Sequence, residues 1–271
     1  MNELISYDIR YRVLGTLELR DGTQWIGLQR TKWRTLLAVL LCDENQVFSA
    51  DRLIEQLWGD EPPQTASKLL QGYVSHLRRI LGDAAGQLLV THMQGYRAHG
   101  YQLIVRPGEL DSHRFEQLVD GGRAALDAAE HEVASALIDE ALSQWRGEPF
   151  ADVPMAPAVQ AKTARLHNTR LQAQEIRVEA EMRRGRHNAV IGELEALIAE
   201  YPFHEGFRAH HMMALYRAGR QAEAFETYHD VRRLLVEELG VEPSPSLQIL
   251  QQRILTADPT LLVPEQSGLR I

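Results

Sequence analysis

The sequence predicts an α+β part followed by an all-α part, and three observations carry that reading. Through the first hundred residues, period-2 apolar stretches alternate with short amphipathic ones, separated by turn signals. From Asp111 onward nearly every apolar pattern is helical, and Gly and Pro serve as punctuation. Within that second part, the string from Ala180 to Gly185-Arg186 is repeated in kind from Ala214 to Gly219-Arg220. The two glycines are 34 residues apart, the tetratricopeptide spacing. The expected division is 1–106, then 107–258 as degenerate helical repeats, then a poorly structured tail over 259–271.

The elements follow in order. Ile9, Tyr11 and Val13, then Leu17 and Leu19, alternate with polar residues, and Asp21-Gly22 is a hairpin signal before Trp25-Ile26. A small antiparallel sheet is expected. A helix starts near Thr31, with Trp33, Leu36, Leu37, Leu40 and Leu41 on one side. Ser49 is placed to cap a second, short helix carrying Leu53, Ile54, Leu57 and Trp58, ended by Gly59 and Pro62-Pro63. The third helix runs from after Thr65 to about Leu81 and stops at Gly82. A hairpin closes the part, with Leu88–Val90 and Tyr101–Val105 as strands and Gly95 and Gly100 between them. In the second part, an earlier helical hairpin is expected near Ala134–Trp145, off the 34-residue period.

The third helix holds the most chemistry. Leu69, Leu70, Tyr73, Val74, Leu77 and Leu81 form one apolar stripe. The opposite face carries Lys68, Gln71, Gly72, Ser75, Arg78 and Arg79, with His76 at its edge and no acid. A solvated helix face ordinarily mixes both signs, so this one suits phosphates and base edges. Gly72 costs up to about 1 kcal/mol in mid-helix relative to Ala. Either a close approach of DNA or a tight contact with another helix would account for it. Three helices and a hairpin with His92, Arg97 and His99 near its tip make a winged helix-turn-helix. The competing reading is a plain surface helix beside a sheet edge.

Charge supports this once it is divided. The net charge of −8 over 271 residues argues against nucleic acid as it stands. Residues 1–106 hold 12 Lys/Arg against 11 Asp/Glu, and residues 107–271 hold 17 against 26. Residues 66–106 hold five basic side chains against the single acid Asp83. One cysteine, Cys42, excludes an internal disulfide framework, fits a reducing cytoplasm, and is expected in the core of the first helix. No apolar run approaches the ~20 residues of a membrane span, and the start lacks a signal-peptide pattern, so a cytoplasmic protein with no membrane partner is expected. There is no phosphate-binding Gly-x-x-x-x-Gly-Lys-Ser/Thr loop and no legible catalytic triad, so no enzyme and no cofactor are expected. His204, His210 and His211 read as solvated or core-edge residues rather than metal ligands, because adjacent helical residues diverge by about 100°.

At the level of motifs the chain resembles the SARP family, the antibiotic regulatory proteins of actinomycetes. The matching strings in the first part are Val13–Leu19, Asp51–Gly59, Gln71–Gly82 and Gly100–Leu103. Those in the second are Leu110–Phe115, Trp145–Gly147, Gly219–Ala224 and Leu235–Pro243. They cover nearly the whole chain in family order. The resemblance implies an OmpR-type winged helix-turn-helix and a bacterial transcriptional activator domain, in the small two-part form without an ATPase module or a receiver domain. It implies an activator that binds promoter direct repeats side by side with a second protomer. Such an activator helps bring RNA polymerase holoenzyme, with its sigma factor, to secondary-metabolite genes. It places the third helix, Lys68 to Arg79, in the major groove, with Ser75, His76 and Arg78 nearest the base edges. Trp58 matches a phosphate-contacting position, and Thr31, Lys32 and Arg34 could add phosphate contacts.

Two departures from the family pattern stand out. His76 replaces an Arg of the Ser-Arg-Leu-Arg form, implying a weaker or pH-sensitive contact. If Gly100-Tyr101 is the family Gly-Tyr-x-Leu, the wing tip is longer than usual. The expected function is therefore a sequence-specific transcriptional activator. Its alternative is a repeat-based protein-interaction scaffold whose first part binds protein.

Overall fold

The computed structural model describes residues 10–95 and 97–262. The chain forms two compact units, Met1–Leu118 with Glu140–Arg170, and Val119–Asp139 with Leu171–Ile271.

The first unit opens with a sheet in the order β1 (Tyr11–Arg12), β2 (Glu18–Asp21), β3 (Gln24–Gly27), antiparallel throughout. Helix α1 (Thr31–Cys42) follows, and every residue from Thr35 to Cys42 is buried. It is the central helix of the unit rather than an amphipathic surface one. After β4 (Phe48–Ser49), α2 (Ala50–Trp58) starts where the Ser49 hydroxyl accepts the Arg52 N–H at 3.2 Å. Helix α3 (Ala66–Ile80) buries Ala66, Leu70, Val74 and Leu77, and the left-handed Gly82 (φ +66°) follows its end.

The wing differs from expectation. Strands β5 (Leu89–Gln94) and β6 (Arg97–Leu103) extend toward the tip well past the predicted Val90 and Tyr101, while β6 stops at Leu103, short of Val105. The strands pair as far as Gln94 and Arg97, with Gly95 at φ +60°, so the longer tip expected from Gly100 is not formed. Gly100 lies inside β6, where β4 pairs with it in a sheet ordered β4-β6-β5. A Cβ at Gly100 would stand 2.4 Å from the Phe48 carbonyl oxygen. The second glycine thus serves a close strand approach rather than a turn.

Residues beyond the wing complete the same unit. Helix α4 (Asp111–Asp127) begins with Asp111, whose buried carboxylate accepts the Val13 and Leu14 N–H groups at 2.8 and 3.1 Å. Burial outweighs these bonds and pushes its pKa up to about 6. The Arg146 and Phe150 N–H groups donate to the Leu14 and Val13 carbonyls at 2.8 and 3.0 Å. The Leu110–Phe115 and Trp145–Gly147 strings are thus tied to the N-terminal strand region.

The second unit is helical. Past α5 (His131–Ser143) and α6 (Pro157–Arg183), it continues with α7 (His187–Glu200), α8 (Glu205–Arg217), α9 (Gln221–Leu239) and α10 (Pro245–Leu255). Its core includes Leu194, Phe207, Met212, Leu215, Val231, Leu247 and Ile254. The repeat glycines do equivalent work. Gly185 and Gly219 have φ of +76° and +78°. Each donates to the carbonyl three residues back, and the following arginine N–H to the one five back. The α4–α5 turn makes the same two bonds around Ala129, at φ +60°. It therefore lies upstream of the predicted Ala134–Trp145 hairpin, and without a glycine it left no sign in the sequence. The tail expected from Pro259 is ordered at its start. Pro259–Leu262 forms a 3-10 turn, Leu261 is buried, and its carbonyl accepts the Arg217 Nε at 2.8 Å. From residue 263 the expected tail lies outside the described residues.

Candidate nucleic-acid interface

The exposed side of α3 presents Lys68, Gln71, Gly72, Ser75 and Arg79. Beside it runs an open groove of about 640 Å³, walled by the entry to α1 and by α3. Arg30 and Trp33 form one wall; Thr65, Lys68, Leu69, Gly72, Tyr73, Ser75, His76 and Arg79 form the other. Among the described residues, no acid lines it. Asp83, the one acid of the basic segment, is buried and accepts the Gln87, Leu88 and Leu89 N–H groups at 2.7–3.0 Å. Burial alone would raise its pKa; these three bonds, aided by Arg78, hold it below the usual carboxylate value.

The wall of the groove is built by stacking. Trp33 and His76 have ring centroids 3.3 Å apart and planes 27° apart, and the Arg30 guanidinium lies 4.8 Å from the Trp33 ring. An Arg79 guanidinium nitrogen lies 2.5 Å from His76 Nδ1. Burial first, then the Arg79 and Arg30 charges, lower the His76 pKa below the ordinary imidazole value and so favour the neutral ring. The pH sensitivity expected at His76 is therefore displaced below that of an ordinary imidazole. A second cluster joins the three helices: Trp58 stacks on Tyr73 at 6.0 Å, and Lys32 Nζ lies 5.5 Å from the Trp58 ring while donating to the Leu57 carbonyl.

The residues singled out in the sequence divide into groups. Lys68, Gly72, Ser75, His76 and Arg79 come together along the groove, and Gln71 lies on the same exposed side of α3. Thr31 is exposed at the start of α1. Ser75 already donates its hydroxyl to the Gln71 carbonyl at 2.9 Å, leaving oxygen lone pairs outward. Arg78 and Arg34 turn away. Arg78 donates to the Leu89 carbonyl at 2.9 and 2.6 Å and to the Thr91 hydroxyl at 2.7 Å, bracing α3 against β5. Arg34 donates to the Leu28 carbonyl at 2.9 Å and pairs with Asp152 at 3.4 Å.

On the wing, His92 sits in mid-strand, its Nε2 2.9 Å from Gln102 Oε1, and His99 is exposed on β6. The backbone of Arg97 belongs to β6, and its side chain lies outside the described residues. Sequence reasoning missed Arg30, Thr65 and the stacking role of Trp33. The available sign was an aromatic residue set among Arg30, Lys32 and Arg34 at a helix entrance.

Gly72 is open. A Cβ built on it meets no heavy atom within 4 Å, so no neighbouring helix requires the glycine. Of the two explanations for Gly72, close helix packing is removed.

A winged helix-turn-helix with an acid-free, cationic α3 face, followed by paired helices, defines a two-part regulator of the OmpR-type DNA-binding class. Comparison with known proteins agrees. Residues 110–255 match the bacterial transcriptional activator domain, and residues 25–103 match the C-terminal domain of transcriptional regulatory proteins. The chain belongs to the SARP family of transcriptional regulators. It is 38% identical over 245 residues to the regulatory protein DnrI of Streptomyces peucetius, covering 88% of this chain and 89% of that one. It is 41% identical over 254 residues to the regulatory protein AfsR of Streptomyces coelicolor. That match covers 93% of this chain but only 25% of AfsR, so the chain spans about a quarter of that relative's length. Among solved structures, Mycobacterium tuberculosis EmbR in complex with a low-affinity phosphopeptide superposes with a TM-score of 0.86 at 32% identity, covering 93% of this chain and 66% of that chain. No described helix is long and apolar enough to cross a membrane.

Proposed function

We propose that the chain is a transcriptional activator that lays α3 in the major groove of promoter direct repeats. Residues 1–106 hold the DNA, and residues 107–258 contact RNA polymerase holoenzyme, its sigma factor, or the neighbouring protomer. The observation that carries this reading is the exposed side of α3: Lys68, Gln71, Ser75 and Arg79 around a Gly72 that nothing in the fold requires. The acidity of residues 107–271 would repel phosphates, which favours a place beside the DNA for that part. Relatives named as transcriptional regulators support the reading, and family resemblance suggests antibiotic biosynthesis genes as targets.

Gel shift on a direct-repeat promoter fragment tests it. Affinity is expected to fall steeply with salt, because phosphate contacts release counterions. Inserting about half a turn (~5 bp) between repeats is expected to abolish cooperative binding of protomers spaced about one turn apart. Salt-insensitive or absent binding would favour a protein-interaction scaffold; unchanged affinity after the insertion would remove the tandem arrangement.

A further inference from the structure

We infer that His76 is a positioning residue: stacked on Trp33, it holds the Arg79 guanidinium in place for DNA instead of reading a base itself. This rests on α3 being the DNA-reading helix.

Neither ring nitrogen of His76 is open to a base edge. Nδ1 lies 2.5 Å from the Arg79 guanidinium, and a guanidinium only donates, so Nδ1 carries the lone pair and the proton sits on Nε2. Nε2 is shielded from solvent and has no hydrogen-bond partner, so it is not presented to a base edge. The ring itself is fixed by the Trp33 contact at 3.3 Å. Arg79 by contrast is exposed, at the end of α3 that also carries Ser75. A long arginine side chain on a surface ordinarily samples many rotamers, and freezing them on binding costs affinity. The Trp33–His76–Arg79 chain removes part of that cost in advance.

Among the described residues, the charged groups facing His76 are cationic: Arg79 on α3 and Arg30 before α1, with Lys68 lining the same groove. Protonation of the ring therefore has two opposed effects. It adds a cation, which strengthens binding to any duplex, and it removes the acceptor that holds Arg79, which weakens selection of the right one. Discrimination between specific and random DNA falls as pH drops, while random binding rises.

The test has one arm without DNA. In long-range imidazole ¹H–¹⁵N spectra of the free chain, His76 is expected as the Nε2–H tautomer, and Arg79→Gln is expected to move its titration midpoint upward. A protonated Nδ1, or no movement, overturns the proposal. The second arm measures anisotropy on a selected duplex. His76→Phe keeps an aromatic ring beside Trp33 but removes the acceptor, and is expected to weaken binding about tenfold. In an Arg79→Ala background the same change is expected to cost nothing further. His76→Asn, whose Oδ1 can replace Nδ1, is expected to recover most of the affinity. Thermal melts matching the native chain show that each variant folds. Equal losses from His76→Phe in both backgrounds refute positioning. If the native chain binds no duplex, the DNA reading of α3 fails, and the spectral arm still decides the His76–Arg79 contact.

Discussion

Replacing Gly72 with Ala separates stability from DNA binding by sign. Gly72 lies in the interior of the 15-residue α3, away from both ends, and a methyl there meets no heavy atom within 4 Å. The folded protein therefore gains the helix propensity of Ala without a clash, about 1 kcal/mol. For a unit of this size, that corresponds to an increase of about 2–4 °C in Tm. The same methyl projects into the space a sugar or base edge would occupy if α3 enters the major groove. A loss of about tenfold in affinity, ~1.4 kcal/mol, is expected for a single lost close approach. Calorimetry and fluorescence anisotropy on one preparation measure both. A higher Tm with weaker DNA binding supports the reasoning. A lower Tm would mean that Gly72 is needed by the fold, and a higher Tm with unchanged affinity would mean that DNA does not approach it.

Three other outcomes follow from the same geometry. Arg78→Ala removes the bonds to the Leu89 carbonyl and Thr91 hydroxyl, and is expected to cost about 1–3 kcal/mol of stability in urea melts. Its DNA loss should be equal on specific and random duplexes; a loss confined to one base position would assign Arg78 to base reading instead. Asp111 has a folded pKa raised to about 6, so its protonation favours the fold, and that contribution fades as pH rises through 6. The stability deficit of Asp111→Asn is expected to narrow between pH 5 and pH 7 in parallel denaturant melts, and a widening deficit would reverse the assignment. Cys42 is buried, with its thiol pushed up to about 12, so the native chain is expected to resist a thiol-exchange reagent until unfolded. Prompt labelling of the native chain at pH 8 would contradict this.

Much of the fold was legible because its signals are local. Ser49 caps α2 as its hydroxyl predicts, Gly82 ends α3, and Gly185 and Gly219 turn the paired helices at equivalent positions. What escaped depended on partners distant in sequence. Gly100 reads as a turn residue until β4 is seen pressing against it, and Ala129 takes a left-handed conformation with no glycine to announce it. At the interface, periodicity placed Lys68, Gln71, Ser75 and Arg79 on the exposed side of α3. It could not show Arg78 turned to β5 or Arg34 to Asp152, because a long side chain chooses its partner in three dimensions. Arg30 and Trp33 belong to another helix entrance, and only folding brings them to α3.

Selection of bound duplexes from a randomised library, using the full chain at near-physiological salt, tests the central claim most directly. The account predicts enrichment of one motif in direct repeat, with half-sites about 10–11 bp apart, and loss of that enrichment when Lys68, Ser75 and Arg79 are replaced by Ala. No enriched motif, or the same motif recovered by the substituted chain, would contradict it.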